Sequence, residues 1–220
     1  MVATVMITNF LIEYDRVFSL SAPSYTDAEI IQFLDRAQYD IVDTLHRNRR
    51  YDLLDGLIST ATDASPGAYS LFAGAKTSLV TGTEYTRYLY YIDSYSKVAR
   101  SALPSMSSTV IKNEYIDRMQ AKDFQTSDFN SPIFRFPKVY VEGVYITVIP
   151  DAFTTISEIY VDYVVNPKGL DKTVDSSSLT TECELRESLH GEVVTKAVQF
   201  AQIATNPEMA GANIKLTNKE

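Results

Sequence analysis

The stretch TDAEIIQFLDRAQYDIVDTLHRNRR, residues 26–50, decides how the rest of the chain is read. Thr26-Asp27-Ala28-Glu29 is a capping box, in which the threonine hydroxyl accepts from a backbone N–H and the glutamate reaches back to the cap. From there Ile30, Leu34, Ala37, Ile41 and Leu45 recur at alternating steps of four and three. That period makes one side of a helix apolar, with Asp35, Arg36, Gln38, Asp40 and Asp43 mostly on the other side. At its C-terminal end stand Arg47, Asn48, Arg49 and Arg50, where positive charge complements the negative end of the helix dipole.

Upstream, Phe10, Leu11, Tyr14, Val17 and Phe18 have the spacing of one helix face, and Ser19 to Ser24, with Pro23, predicts a turn before the capping box. Downstream, Tyr51 to Ile58 reads as a second short helical stretch, and Ser59 to Tyr69, rich in Ser, Thr, Ala and Gly, reads as a loop. The middle third changes character. Arg87 to Ile92, Ile133 to Phe136, Val139 to Ile149 and Ile156 to Val165 are rich in tyrosine and β-branched residues and read as strands, bounded by Pro137, Pro150-Asp151 and Asn166-Pro167-Lys168-Gly169. Lys112 to Gln125, with Tyr115, Ile116 and Met119 at helical spacing, predicts an exposed helix between them.

Helix returns at Thr181-Glu182-Cys183-Glu184, a second capping-box pattern, after which Leu185, Leu189, Val193, Ala197 and Ala201 recur every four residues until Asn206-Pro207. The expected architecture is therefore α+β. Residues 1–60 and 180–205 form a terminal helical bundle, residues 70–170 form an inserted antiparallel β-sheet or sandwich, and 206–220 is an extended C-terminal tail.

Chemistry is hard to find in this pattern. There is no phosphate loop, no dinucleotide turn, no nucleophile elbow and no H-E-x-x-H zinc helix. The two histidines, His46 and His190, fall in predicted helices. Cys183 and His190 would stand roughly 10.5 Å apart along a helix axis, too far for direct proton transfer. Asp35, Asp40 and Asp43, or Glu182, Glu184 and Glu187, invite a magnesium reading, but helical spacing alone brings neither group to one centre. The expectation is a chain that is not an enzyme and holds no cofactor or metal.

The balance of 28 acidic against 20 basic residues, a formal net charge of −8, argues against a surface built to neutralise phosphates. It suits a wall past which a polyanion slides. No apolar run is long enough to cross a bilayer, the N-terminus lacks the pattern of a signal peptide, and the single cysteine cannot form an internal disulfide, so synthesis in a cytoplasm is expected. Within this acidic chain, Arg47, Arg49 and Arg50 are the candidate subunit interface. Helix-end charge complementarity is the alternative reading of the same residues. Tyr85, Tyr88, Tyr90, Tyr91 and Tyr95 suit a half-buried sheet or a contact surface.

Three stretches carry a family resemblance: Phe10-Leu11-Ile12-Glu13-Tyr14-Asp15, Ser21-Ala22-Pro23-Ser24-Tyr25-Thr26-Asp27-Ala28-Glu29, and Phe33-Leu34-Asp35-Arg36-Ala37-Gln38-Tyr39-Asp40-Ile41-Val42. Together they resemble the opening of connector proteins from crAss-like and related Bacteroidetes phages. Ser131-Pro132, Arg135-Phe136-Pro137, Val164-Val165-Asn166-Pro167 and the final helix around Leu189 to Ala201 extend the resemblance loosely over most of the chain. What it implies is a virion protein of the phage neck, made in the cytoplasm of a host bacterium. Such a protein forms a homo-oligomeric ring, a dodecamer, stacked below the portal protein and against other neck and tail rings. It has no membrane contact, and DNA passes through its lumen during ejection without specific binding. A tail-fibre attachment or baseplate binding module of the same virion is the alternative. It would put the sheet, not the helices, at the contact surface.

Overall fold

The computed structural model of the chain describes residues 3–17, 24–63, 67–69, 74–78, 87–100, 108–117, 120, 136–142, 145–151, 153–170 and 183–205. Among them the fold is mixed α+β, and the chain divides into two compact units, one of residues 1–57 with 166–220 and the other of residues 58–165.

The first unit holds three α-helices, α1 (Ala3–Val17), α2 (Asp27–Arg47) and α3 (Glu187–Thr205), each in contact with the other two. The capping box forms. Glu29 N–H donates to Thr26 Oγ1 (3.4 Å) and Thr26 N–H donates to Glu29 Oε2 (2.8 Å), which holds the Glu29 carboxyl below its usual range. Thr26→Ala is expected to destabilise the unit by about 1 kcal/mol, seen as a lower melting temperature. An unchanged melt would mean that packing alone fixes the start of α2.

The apolar stripe of α2 is buried through Ile30, Leu34, Ala37, Ile41 and Val42. It meets Leu189, Val193, Val194, Ala197, Val198 and Ala201 of α3, and Ala3, Met6, Ile7, Phe10 and Tyr14 of α1. An aromatic group closes one end. Phe10 stacks on Phe33 at 6.4 Å between ring centroids, and Tyr25 meets Phe33 and Tyr14 edge-on at 5.3 Å each. The Tyr25 hydroxyl donates to the Ala201 carbonyl at 3.1 Å, and the Arg36 guanidinium lies 4.5 Å over the Phe200 ring.

Two expectations change here. Tyr51 to Ile58 is not one helix but two single 3₁₀ turns, Tyr51–Leu53 and Asp55–Leu57, and Ile58 already belongs to a strand. Leu54, between the two turns, and Leu57, in the second, are buried, whereas no residue of the first turn is. Thr181 and Glu182 lie outside the described residues, but Cys183 and Glu184 are not helical, and α3 starts at Glu187. Glu184 precedes α3 by three residues. Its carboxylate accepts from Lys168 N–H at 3.0 Å and pairs with Lys168 Nζ at 3.2 Å.

The second unit contains β1 (Ile58–Asp63), β2 (Gly67–Tyr69), β3 (Gly74–Ser78), β4 (Tyr88–Arg100), β5 (Thr109–Lys112), β6 (Glu114–Tyr115), β7 (Lys138–Glu142), β8 (Tyr145–Ile149) and β9 (Thr154–Val165). One sheet has the order β1-β9-β4-β5 and is antiparallel throughout. The other has five strands, β2-β3-β8-β7-β6, and departs from the expected antiparallel pattern at one pair, β6 and β7, which run parallel. Ala61, Ile159, Val161, Tyr163 and Val165 of the first sheet and Val139, Ile146 and Val148 of the second form one core.

The sheet residues correct three further expectations. Within Ser59 to Tyr69, an expected loop, Ser59 to Asp63 belong to β1, which pairs in register with β9 from Ile58↔Val164 to Asp63↔Ile159, and Gly67 to Tyr69 form β2. Val139 to Ile149 is a hairpin of two strands rather than one, with Val139 opposite Val148. Lys112 to Tyr115 is extended, not helical: Asn113 N–H donates to Ser94 O at 2.9 Å, Glu114 N–H to Pro137 O at 2.8 Å and Ile116 N–H to Val139 O at 2.8 Å. Residues 121–125 of that expected helix, Ile133, Phe134 and Arg135, and the tail 206–220 lie outside the described residues.

Candidate subunit interface

The arginine cluster sits where α2 stops. Arg49 N–H donates to His46 O at 3.0 Å, and Arg50 N–H donates back to Leu45 O at 2.9 Å. This pair of reversed bonds is the Schellman ending, which satisfies the last free carbonyls of a helix and needs a left-handed residue just past the cap. Glycine is the common occupant of that position. Here it is Arg49, with φ 55°. A side chain with a Cβ in this conformation costs about 1 kcal/mol relative to glycine.

The three arginines differ in what surrounds them. Arg47 Nη2 pairs with Asp43 one turn back at 2.6 Å, on the helix surface. Arg50 makes a two-pronged contact with Asp52, at 3.0 Å from Nε and 3.2 Å from Nη2, which holds the Asp52 carboxyl below its usual range. Arg49 is exposed, and no ion pair joins it to a described residue. His46, just inside the helix end, has its pKa lowered by burial against the opposing pull of Asp43, and its Nδ1 lies 3.3 Å from the Tyr51 hydroxyl. The structure therefore splits the predicted site: two members are used within the chain, and one stands apart.

A second exposed feature lies on α1. Phe10 and Tyr14 face inward, whereas Val5 and Ile12, seven residues and two turns apart, are 44% and 56% exposed, and Leu11 beside them is 39% exposed. The expected inner face of α1 includes Leu11 and Val17 with Phe10 and Tyr14. The structure places Leu11 outside and leaves Val17 exposed at the end of the helix.

A buried polar relay is not legible in the sequence as such. Asp35 Oδ1 accepts from Leu170 N–H at 2.8 Å and from Gln38 Nε2 at 3.2 Å, while Gln38 Oε1 accepts from the Cys183 thiol at 3.3 Å. Burial raises the Asp35 pKa against these hydrogen bonds, and burial also pushes the Cys183 thiol up. Gln38 is buried, although the apolar period assigns it to the outer face of α2. A signal for its burial exists in the spacing, since Gln38 stands four residues after Leu34 and four before Val42. This relay ties the segments at Leu170 and Cys183 to adjacent turns of α2.

Cys183 and His190 have separate partners, because His190 Nε2–H donates to the Leu185 carbonyl at 2.7 Å. Asp35, Asp40 and Asp43 diverge in the same way, toward Leu170, Lys196 and Arg47 respectively. Among the described residues no group of three or more His, Cys, Asp or Glu side chains converges, and no helix is long and apolar enough to cross a membrane.

Of the tyrosines, Tyr85 lies outside the described residues, and Tyr88, Tyr90, Tyr91 and Tyr95 are half-buried on β4. Tyr88 packs 5.7 Å from Tyr163 and its pKa is pushed up to about 12 by burial. The Tyr91 hydroxyl shares a hydrogen bond of 3.0 Å with Ser94, and its pKa is also raised by burial. Both belong to sheet packing.

No family model matches the chain, and no curated protein matches it.

Proposed function

We propose that the chain is a structural subunit of a tailed-phage virion, a ring-forming head-to-tail connector below the portal. In this reading the three helices form the bundle that meets neighbouring copies around the DNA channel, and the inserted sheet unit faces other neck or tail components. The observation that carries the reading is the outer face of α1, where Val5 and Ile12 are exposed on a helix whose inner face is already filled. Burying such a face against the next copy gives a ring its association energy. The resemblance of the first fifty residues to phage connectors supports the same assignment, and the net charge of −8 suits a channel that a polyanion traverses without sticking.

The mass in solution, measured by light scattering on a size-exclusion column with and without the portal protein of the same phage, tests this. A closed oligomer, or a monomer that closes into a ring on the portal, is the expected result. A monomer that ignores the portal and binds a fibre or baseplate component would overturn it in favour of the attachment-module alternative. The double variant Val5→Glu, Ile12→Glu is expected to abolish ring formation. Its monomer melt should stay within about 0.5 kcal/mol of wild type per site, because both positions are exposed.

A further inference from the structure

We infer that Arg49 is the side chain through which one copy of this chain holds a carboxylate of the next copy, and that its left-handed backbone is retained for that contact. The inference rests on the ring reading above and names the residue and the partner group within it. Arg49 occupies the position of a Schellman ending at which glycine is the residue of least strain, with φ 55°. A strained residue on an exposed helix end, where a simple substitution would relieve it, points to a role outside the fold.

The surroundings narrow that role. Arg47 is engaged by Asp43 and Arg50 by Asp52, so the flanking charges are compensated within the chain. Arg49 is exposed and pairs with no described residue. A second copy brings 28 acidic against 20 basic residues, so it supplies carboxylates in excess over cations. Self-association of an acidic chain must overcome repulsion between copies, and a fixed guanidinium at the contact offsets it while selecting one register.

The experiment compares wild type with Arg49→Gly and Arg49→Asn, both of which suit a left-handed backbone without the charge. Monomer melting and the concentration at half-assembly, alone or on the portal, are read over a range of salt. The expected result for Arg49→Gly is a melt about 2–4 °C higher, with half-assembly moved to a concentration roughly tenfold higher or more. Its assembly should also depend less on salt than that of wild type. Assembly of both variants at wild-type concentrations overturns the inference. So does weaker assembly accompanied by a lower melt, which would make Arg49 a purely structural residue. A wild-type chain that forms no ring under any of these conditions overturns the connector reading itself.

Discussion

Replacing Tyr163 by alanine is expected to destabilise the sheet unit by roughly 3–5 kcal/mol, a large share of what holds a small domain folded. Tyr163 is only 1% exposed. It lies on β9 between Ser59 of β1 and Tyr91 of β4, and packs against Tyr88 and the valine and isoleucine side chains of both sheets. Removing its ring leaves a cavity that strands paired on both sides cannot close. Hydrogen exchange gives the sharpest measurement, because the two units have separate cores. Amides of β4 and β9 should lose protection while those of α2 and α3 keep theirs. Equal loss in the helices would mean that the two units unfold as one.

The second large effect concerns Asp35. Asp35→Ala leaves the Leu170 N–H and the buried Gln38 amide without their acceptor, and a loss of about 3 kcal/mol is expected from two orphaned donors. Asp35→Asn keeps an acceptor oxygen in place and removes the charge. The direction of the pH effect follows from the raised pKa of Asp35. A carboxyl that binds its proton more tightly when folded stabilises the fold fully below its unfolded pKa of 3.8, and that stabilisation is lost as pH rises through the higher folded value. Asp35→Asn should therefore gain stability relative to wild type as pH rises from about 3 to about 7. A difference between the two melts that stays constant over that range would show that Asp35 titrates alike in the folded and unfolded chain.

The parts of the fold that can be read from the sequence are those in which a local signal and a tertiary contact agree. Helix α2 carries its own cap and an apolar stripe, and α3 carries a stripe that buries Leu189, Val193, Ala197, Val198 and Ala201. Where pairing overrides local composition, the reading fails. Ser59-Thr60-Ala61-Thr62 has little apolar character, and its strand state comes from β9, with Thr60 also bonded to Asp162 at 2.5 Å. Lys112 to Ile116 has helical spacing, but its backbone bonds go to Ser94, Pro137 and Val139.

The candidate site is legible by the same measure. The arginines mark a helix end, and Asp43 and Asp52 are close enough in sequence to anticipate as partners. The left-handed turn at Arg49 cannot be anticipated, because the residue that announces such a turn is glycine.

The division of the helical unit into two stretches of chain bears on the order in which it can be made. Tyr25 and Ala201, joined by a hydrogen bond, are 176 positions apart. Every contact of α3 with α1 and α2 spans the whole sheet unit, which is contiguous from Ile58 to Val165. During translation the sheet unit can fold as soon as it emerges, whereas α1 and α2 must wait with their apolar faces uncovered until α3 arrives. The helical unit thus closes over its apolar faces only once synthesis has passed α3, which ends at Thr205.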